Sequence, residues 1–116
     1  MPKCTQAWTA VCSYRRRVDV QLERGTAPTV AGAIEQRLRS EARDVYAWSN
    51  APADRYEQHA HTYNKLLYCT HGSIDFLLGD GRTLTLKAGD RMLLPAGTRH
   101  AAVVGPEGCA CVEGKV

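Results

Sequence analysis

The chain has 116 residues, 44% hydrophobic and 23% charged, the proportions of one ordinary globular domain. These values exclude wholesale disorder, collagen and coiled coil, and no apolar run approaches the roughly 20 residues that a membrane-spanning helix needs. The formal charge of +3 is too small to point to nucleic acid, and five cysteines without a hydrophobic leader-like stretch in residues 1–10 point to a reducing cytoplasm.

The charge is unevenly spread: residues 1–43 carry a net +4 and residues 44–116 a net −1. That asymmetry predicts an appendage, 1–43, attached to a main body, 44–116. Arg15, Arg16 and Arg17 form a basic cluster that reads as a solvated face or as a contact for phosphate or an acidic partner. From Tyr14 to Leu22 the chain alternates, with Val18, Val20 and Leu22 on one side, which predicts an amphipathic strand ending at Gly25. Such a strand can add to a sheet edge in its own subunit or in a partner's. Thr26 to Arg43 reads as a helix: Thr26 as its cap, Pro28 in the first turn, and Val30, Ile34 and Leu38 as one apolar stripe. Glu35 and Arg39 stand four apart on its outer side, and basic residues gather in its last turn.

Beyond Asp44 the texture becomes that of short strands. They are Val45–Trp48, Asn64–Cys69, Ser73–Leu78, Thr83–Leu86, Asp90–Leu94, His100–Val104 and Cys109–Glu113. The dividers are His71-Gly72, Gly79-Asp80-Gly81, Ala88-Gly89 and Pro95-Ala96-Gly97, and Asp80-Gly81 is a hairpin signal. Short strands at this spacing predict a sandwich or small barrel.

His59 and His61 are two apart, so on an extended chain their imidazoles share a face. Two such rings can ligate one metal ion if a third ligand arrives from elsewhere, and His100, just after the Pro95–Gly97 turn, is the candidate. By strict alternation Tyr63 and Lys65 would lie on the same face, which makes Tyr63 the favoured pocket aromatic. Tyr46, Trp48, Tyr56 and Tyr68 are further candidates, although core packing is the ordinary fate of aromatics in a small barrel. Phe76 and Met92 read as core. Cys109 and Cys111 share a face of the last strand as two small buried thiols.

The segment His59-Ala60-His61, then Lys65, then Gly72 resembles the first motif of the cupins, and Gly89, Pro95-Ala96-Gly97 and His100 resemble the second. Both occur in order, with the 16-residue spacer of compact single-domain cupins, over about residues 45–113. The resemblance implies an all-β fold: a small jelly-roll barrel with an N-terminal strand and one α-helix outside it. It also implies a homodimer. Three positions depart from the cupin pattern: Ala53 stands for a Gly, Val104 for an Asn, and Lys65 for the Glu that commonly serves as a fourth metal ligand.

A protonated Lys65 beside a divalent cation would be costly. It could be held neutral, could turn away to an acid or a bound anion, or the site could hold no metal. Neutral imidazoles suit Zn, Fe, Ni and Cu, and three protein ligands leave positions open for water or substrate; the expected cofactor is a divalent transition metal ion, Fe, Zn, Ni or Mn. The expected function is therefore a metal-binding protein with His59, His61 and His100 as ligands and Lys65 and Tyr63 as catalytic candidates. It would be an enzyme of oxygenase, isomerase or lyase type acting on a small anionic molecule, with no nucleic-acid or membrane partner. The alternatives are a non-catalytic small-molecule binder and a metal-free acid–base cupin.

Overall fold

The computed structural model describes residues 19–25 and 27–116. The Arg15–Arg17 cluster, the first half of the predicted Tyr14–Leu22 strand and the Thr26 cap lie outside the described residues. Strand β1 (Gln21–Glu23) is followed by helix α1 (Ala31–Arg39) and then by six strands: β2 (Arg43–Asn50), β3 (Arg55–His59), β4 (Lys65–Leu78), β5 (Thr83–Lys87), β6 (Arg91–Leu94) and β7 (His100–Lys115). All pairings are antiparallel, in the order β1-β6-β4-β7-β2, with β3 also on β7 and β5 also on β4. The architecture is the expected all-β jelly roll with one short helix. Among the described residues, no helix is long and apolar enough to cross a membrane.

Two long strands carry the fold, where four short ones are predicted. The predicted Asn64–Cys69 and Ser73–Leu78 strands form the single β4, and His100–Val104 and Cys109–Glu113 form the single β7. The dividing glycine at 72 is a bulge in β4: the register with β7 shifts between Cys69 and His71 and again between Gly72 and Ile74. Gly72 has φ +68°, and a Cβ there would lie 1.9 Å from the carbonyl oxygen of Gly108. Only glycine permits this close crossing, so the strand bends without ending. By contrast, Asp80-Gly81 turns the chain from β4 into β5, with the amide of Gly81 donating to Leu78 O at 3.0 Å.

The core has two parts. Inside the barrel, Leu67, Cys69, Ile74, Phe76, Leu86, Met92 and their neighbours are buried, with Val20 and Leu22 packed against them. The β1 strand thus adds to its own chain, pairing with β6. On the outer face, Ile34 and Leu38 of α1 are fully buried against Leu66, Tyr68 and Val112. Successive β4 residues therefore serve opposite faces, as strand geometry requires. Val30 does not join this stripe: it is the extended N-cap of a helix that begins only at Ala31, and it is 68% exposed. The helix ends at Arg39, short of the predicted Arg43, which opens β2. Glu35 and Arg39 form the expected pair at 3.2 Å. Asp90 accepts from the amides of Lys87 and Gly25, both at 2.9 Å.

Candidate metal centre

The β7 strand brings the three histidines together. Its first residue, His100, stands opposite His59 of β3 on one side and Leu78 of β4 on the other. The chain leaves the strand after His59, so His61 is not placed by alternation. It is placed by the turn that precedes β7: Gly97 donates its amide to His61 O at 2.8 Å, and Ala96 donates to Asn64 Oδ1 at 2.8 Å. The ring centroids lie 4.9 Å apart for His59–His61, 4.4 Å for His59–His100 and 5.3 Å for His61–His100. Each ring offers a nitrogen within 4.8 Å of the other two.

Backbone carbonyls set two of the tautomers. The Nδ1 atoms of His59 and His100 lie 2.7 Å and 2.8 Å from the carbonyl oxygens of Glu57 and Thr98. A carbonyl only accepts, so Nδ1 carries the proton in each ring and Nε2 keeps its lone pair. The third ring, His61, has a buried Nε2 with no partner. Leaving such an atom unsatisfied ordinarily costs about 1–3 kcal/mol. Burial, the Lys65 charge and the neighbouring imidazoles push His61 down to about 4, and burial likewise lowers His100. The trio therefore presents three clustered imidazoles, two of them with Nε2 lone pairs left free, the donor type of a divalent transition metal.

These histidines form one wall of a cavity of about 370 Å³ inside the barrel mouth. Leu67, Ile74, Phe76 and Ala102 give it an apolar floor, so Phe76 is both core and lining. The wall that holds Lys65 contains a residue the sequence reading did not single out, Glu113. The Lys65 Nζ lies 3.4 Å from Glu113 Oε2, and the two side chains are 13% and 5% exposed. The Tyr46 hydroxyl donates to the same oxygen at 2.9 Å, and the Trp48 indole donates to Oε1 at 2.8 Å. Partial burial beside that carboxylate pushes the Tyr46 phenol up to about 12, which keeps it a donor. Of the three arrangements open to Lys65, the structure has it paired with an acid, while it still faces the cavity.

Tyr46, Trp48 and Tyr56 line this cavity, whereas Tyr63 does not. Tyr63 follows His61 in a bend, where alternation no longer applies, and packs beside the His61 ring at 5.1 Å, under the Lys115 ammonium. Tyr68 lies on the outer face, its hydroxyl donating to Glu41 and accepting from Arg91. The signal for Glu113 was available: Cys109, Cys111 and Glu113 alternate onto one face of the last strand, and an acid on an otherwise buried face needs a partner.

A family model, the cupin domain, matches residues 48–112. The fold is similar to a DUF861 family protein from Thermotoga maritima, at 17% identity and a TM-score of 0.61, over 84% of this chain and all of that one. It is similar to a conserved protein with a double-stranded β-helix domain from Klebsiella pneumoniae, at 28% identity and a TM-score of 0.53, over 60% of this chain and 62% of that one. It is also similar to the DMSP lyase DddQ from Ruegeria pomeroyi, at 20% identity and a TM-score of 0.55, over 60% of this chain and 35% of that one. No curated protein matches. With both histidine motifs on one barrel and the family model spanning more than half of its length, the chain belongs to the cupin-domain family.

Proposed function

We propose that this cupin is a metal-dependent enzyme acting on a small anionic molecule held in the barrel mouth. His59, His61 and His100 would hold a divalent Fe, Zn, Ni or Mn ion. The observation that carries this reading is the buried, unpartnered Nε2 of His61, set beside two imidazoles whose tautomers leave their own Nε2 lone pairs free.

When bound, the metal supplies Lewis acidity. The chain's own residues supply the rest. Three neutral ligands leave the ion's full positive charge in the pocket. The Lys65 charge is offset by Glu113, so the preference for an anion rests on the centre and not on Lys65. The pair instead offers a proton donor and a proton acceptor on one wall, which favours isomerase or lyase chemistry over oxygenation. Tyr46 and Trp48 hold the Glu113 carboxylate in place, and the apolar floor takes the substrate's hydrocarbon part.

Elemental analysis of purified protein loaded with each ion in turn tests the reading. About one ion per chain is expected, falling close to zero in His100→Ala. A chain that retains no transition metal after loading overturns it.

A further inference from the structure

Three buried thiols sit in the barrel core, and the proposed centre uses none of them. Cys69, Cys109 and Cys111 are 0%, 3% and 1% exposed and belong to one packed cluster. The Cys69 thiol donates to the carbonyl oxygens of His71 at 3.3 Å and Gly72 at 3.8 Å. Cys69 and Cys111 are direct partners in the β4–β7 register. The backbone of Cys69 is engaged on its other side: its amide donates to Asp90 O at 3.1 Å, and its carbonyl accepts from the amide of Gly89 at 2.9 Å. Cys69 and Cys111 are therefore a non-hydrogen-bonded antiparallel pair, the type whose Cα atoms stand about 4.5 Å apart. That separation lies within the disulfide range of about 4.4–6.8 Å. Cys109 and Cys111, two residues apart on one extended strand, are separated by about 7 Å, at or beyond the limit.

We infer that Cys69 and Cys111 form a redox-active dithiol, closed to a cross-strand disulfide by a peroxide oxidant. One of the two sulfurs attacks an oxygen of hydrogen peroxide, breaking the O–O bond and giving a sulfenic acid and hydroxide. The other sulfur then attacks the sulfenic sulfur, and the S–O bond breaks. In sum, two thiols and one peroxide yield one disulfide and two waters. The neighbouring thiols and burial push the Cys111 thiol up, while its proximity lowers both Cys69 and Cys109. A surface depression of about 240 Å³, walled by Ser49, Thr70 and Cys111 among others, lies on the Cys111 side of the pair. The bridge would tie together the two long strands of the barrel.

The test uses the full chain carrying C4S and C12S, stripped of metal by chelation and exposed to hydrogen peroxide without denaturant. Intact mass should fall by about 2 Da, for two hydrogens lost. Peptide mapping should join Cys69 to Cys111, dithiothreitol should reverse the change, and the bridged form should melt at a higher temperature. Cys109→Ser should bridge as well as its parent, and Cys111→Ser should not bridge at all. Unchanged mass, oxygen addition without a bridge, a bridge through Cys109, or a bridged form that melts lower would each overturn the inference. If Cys111→Ser fails to fold, the Cys109→Ser result still decides it.

Discussion

The ammonium of Lys65 stands 3.4 Å from the carboxylate of Glu113 inside the barrel mouth, the first largely and the second almost wholly shielded from water. They come from the start of β4 and the end of β7, where Lys65 faces Lys115 and Leu67 faces Glu113 in register. Removing one partner from such a pair leaves an uncompensated buried charge, at about 3–5 kcal/mol, while removing both is often close to neutral. Lys65→Met and Glu113→Gln should each lower the unfolding free energy by about 3 kcal/mol, and the double variant should recover most of the loss. Urea denaturation of the four proteins closes the cycle. Additive single effects would show that the two groups are not coupled.

The histidine cluster sets a pH dependence in the metal-free protein. His61 takes its proton near 6.5 when unfolded and only near 4 when folded, because burial and the Lys65 charge disfavour the imidazolium. Above 6.5 neither state is protonated and the group contributes nothing. Between 6.5 and 4 the unfolded chain binds the extra proton, so stability falls as pH falls. His100 acts in the same direction. Thermal melts of chelated protein should therefore drop across this window, and His61→Gln should flatten the drop. An identical pH profile in that variant would remove His61 as the cause.

The three histidines were legible because their spacing is local and the turn before His100 has its own residue signature. The barrel was legible from alternation and punctuation. What escaped was non-local. Whether Gly72 ends β4 or only bends it depends on how near Gly108 approaches, 36 positions later in the chain. Lys65 could be given a face from its neighbours but not a partner, because Glu113 lies on another strand. Tyr63 was misplaced by extending strand alternation past His59, where hydrogen bonds to the Pro95–Gly97 turn set the path. Val30 looked helical by spacing alone, yet the helix starts one residue later.

Two of the departures from the cupin pattern meet in space: the amide of Ala53 donates to Val104 O at 3.1 Å. Ala53 has φ +67°, the left-handed region, where a residue with a Cβ costs about 1–2 kcal/mol over glycine. Ala53→Gly should therefore stabilise the protein, by about 0.5–1 kcal/mol once the added freedom of the unfolded chain is subtracted. Gly72→Ala is the opposite case. Its φ is also positive, but its Cβ would collide with the Gly108 backbone, so the variant should fail to fold or melt far below the parent. Differential scanning calorimetry of both variants checks the signs. A destabilised Ala53→Gly would mean that the alanine methyl contributes packing that outweighs its backbone strain.

Lys65→Glu joins the ion pair to the metal centre. Lys65 lines the same cavity as the three histidines, and its charge, after burial, helps to hold His61 down. Replacing it with a carboxylate sets two like charges side by side at Glu113, and the metal-free protein should lose stability through their repulsion. Metal should reverse that loss, because a carboxylate beside three neutral imidazoles attracts a divalent ion where an ammonium repels it. The expected result is a lower melting temperature without metal, a larger upward shift on loading than in the parent, and tighter binding in a competitive chelator titration. Unchanged affinity would place Lys65 outside the reach of the bound ion and leave its charge relevant only to Glu113. If Lys65 contacts substrate, the same variant should keep its metal and lose turnover, which separates a role in proton transfer from a role in tuning the centre.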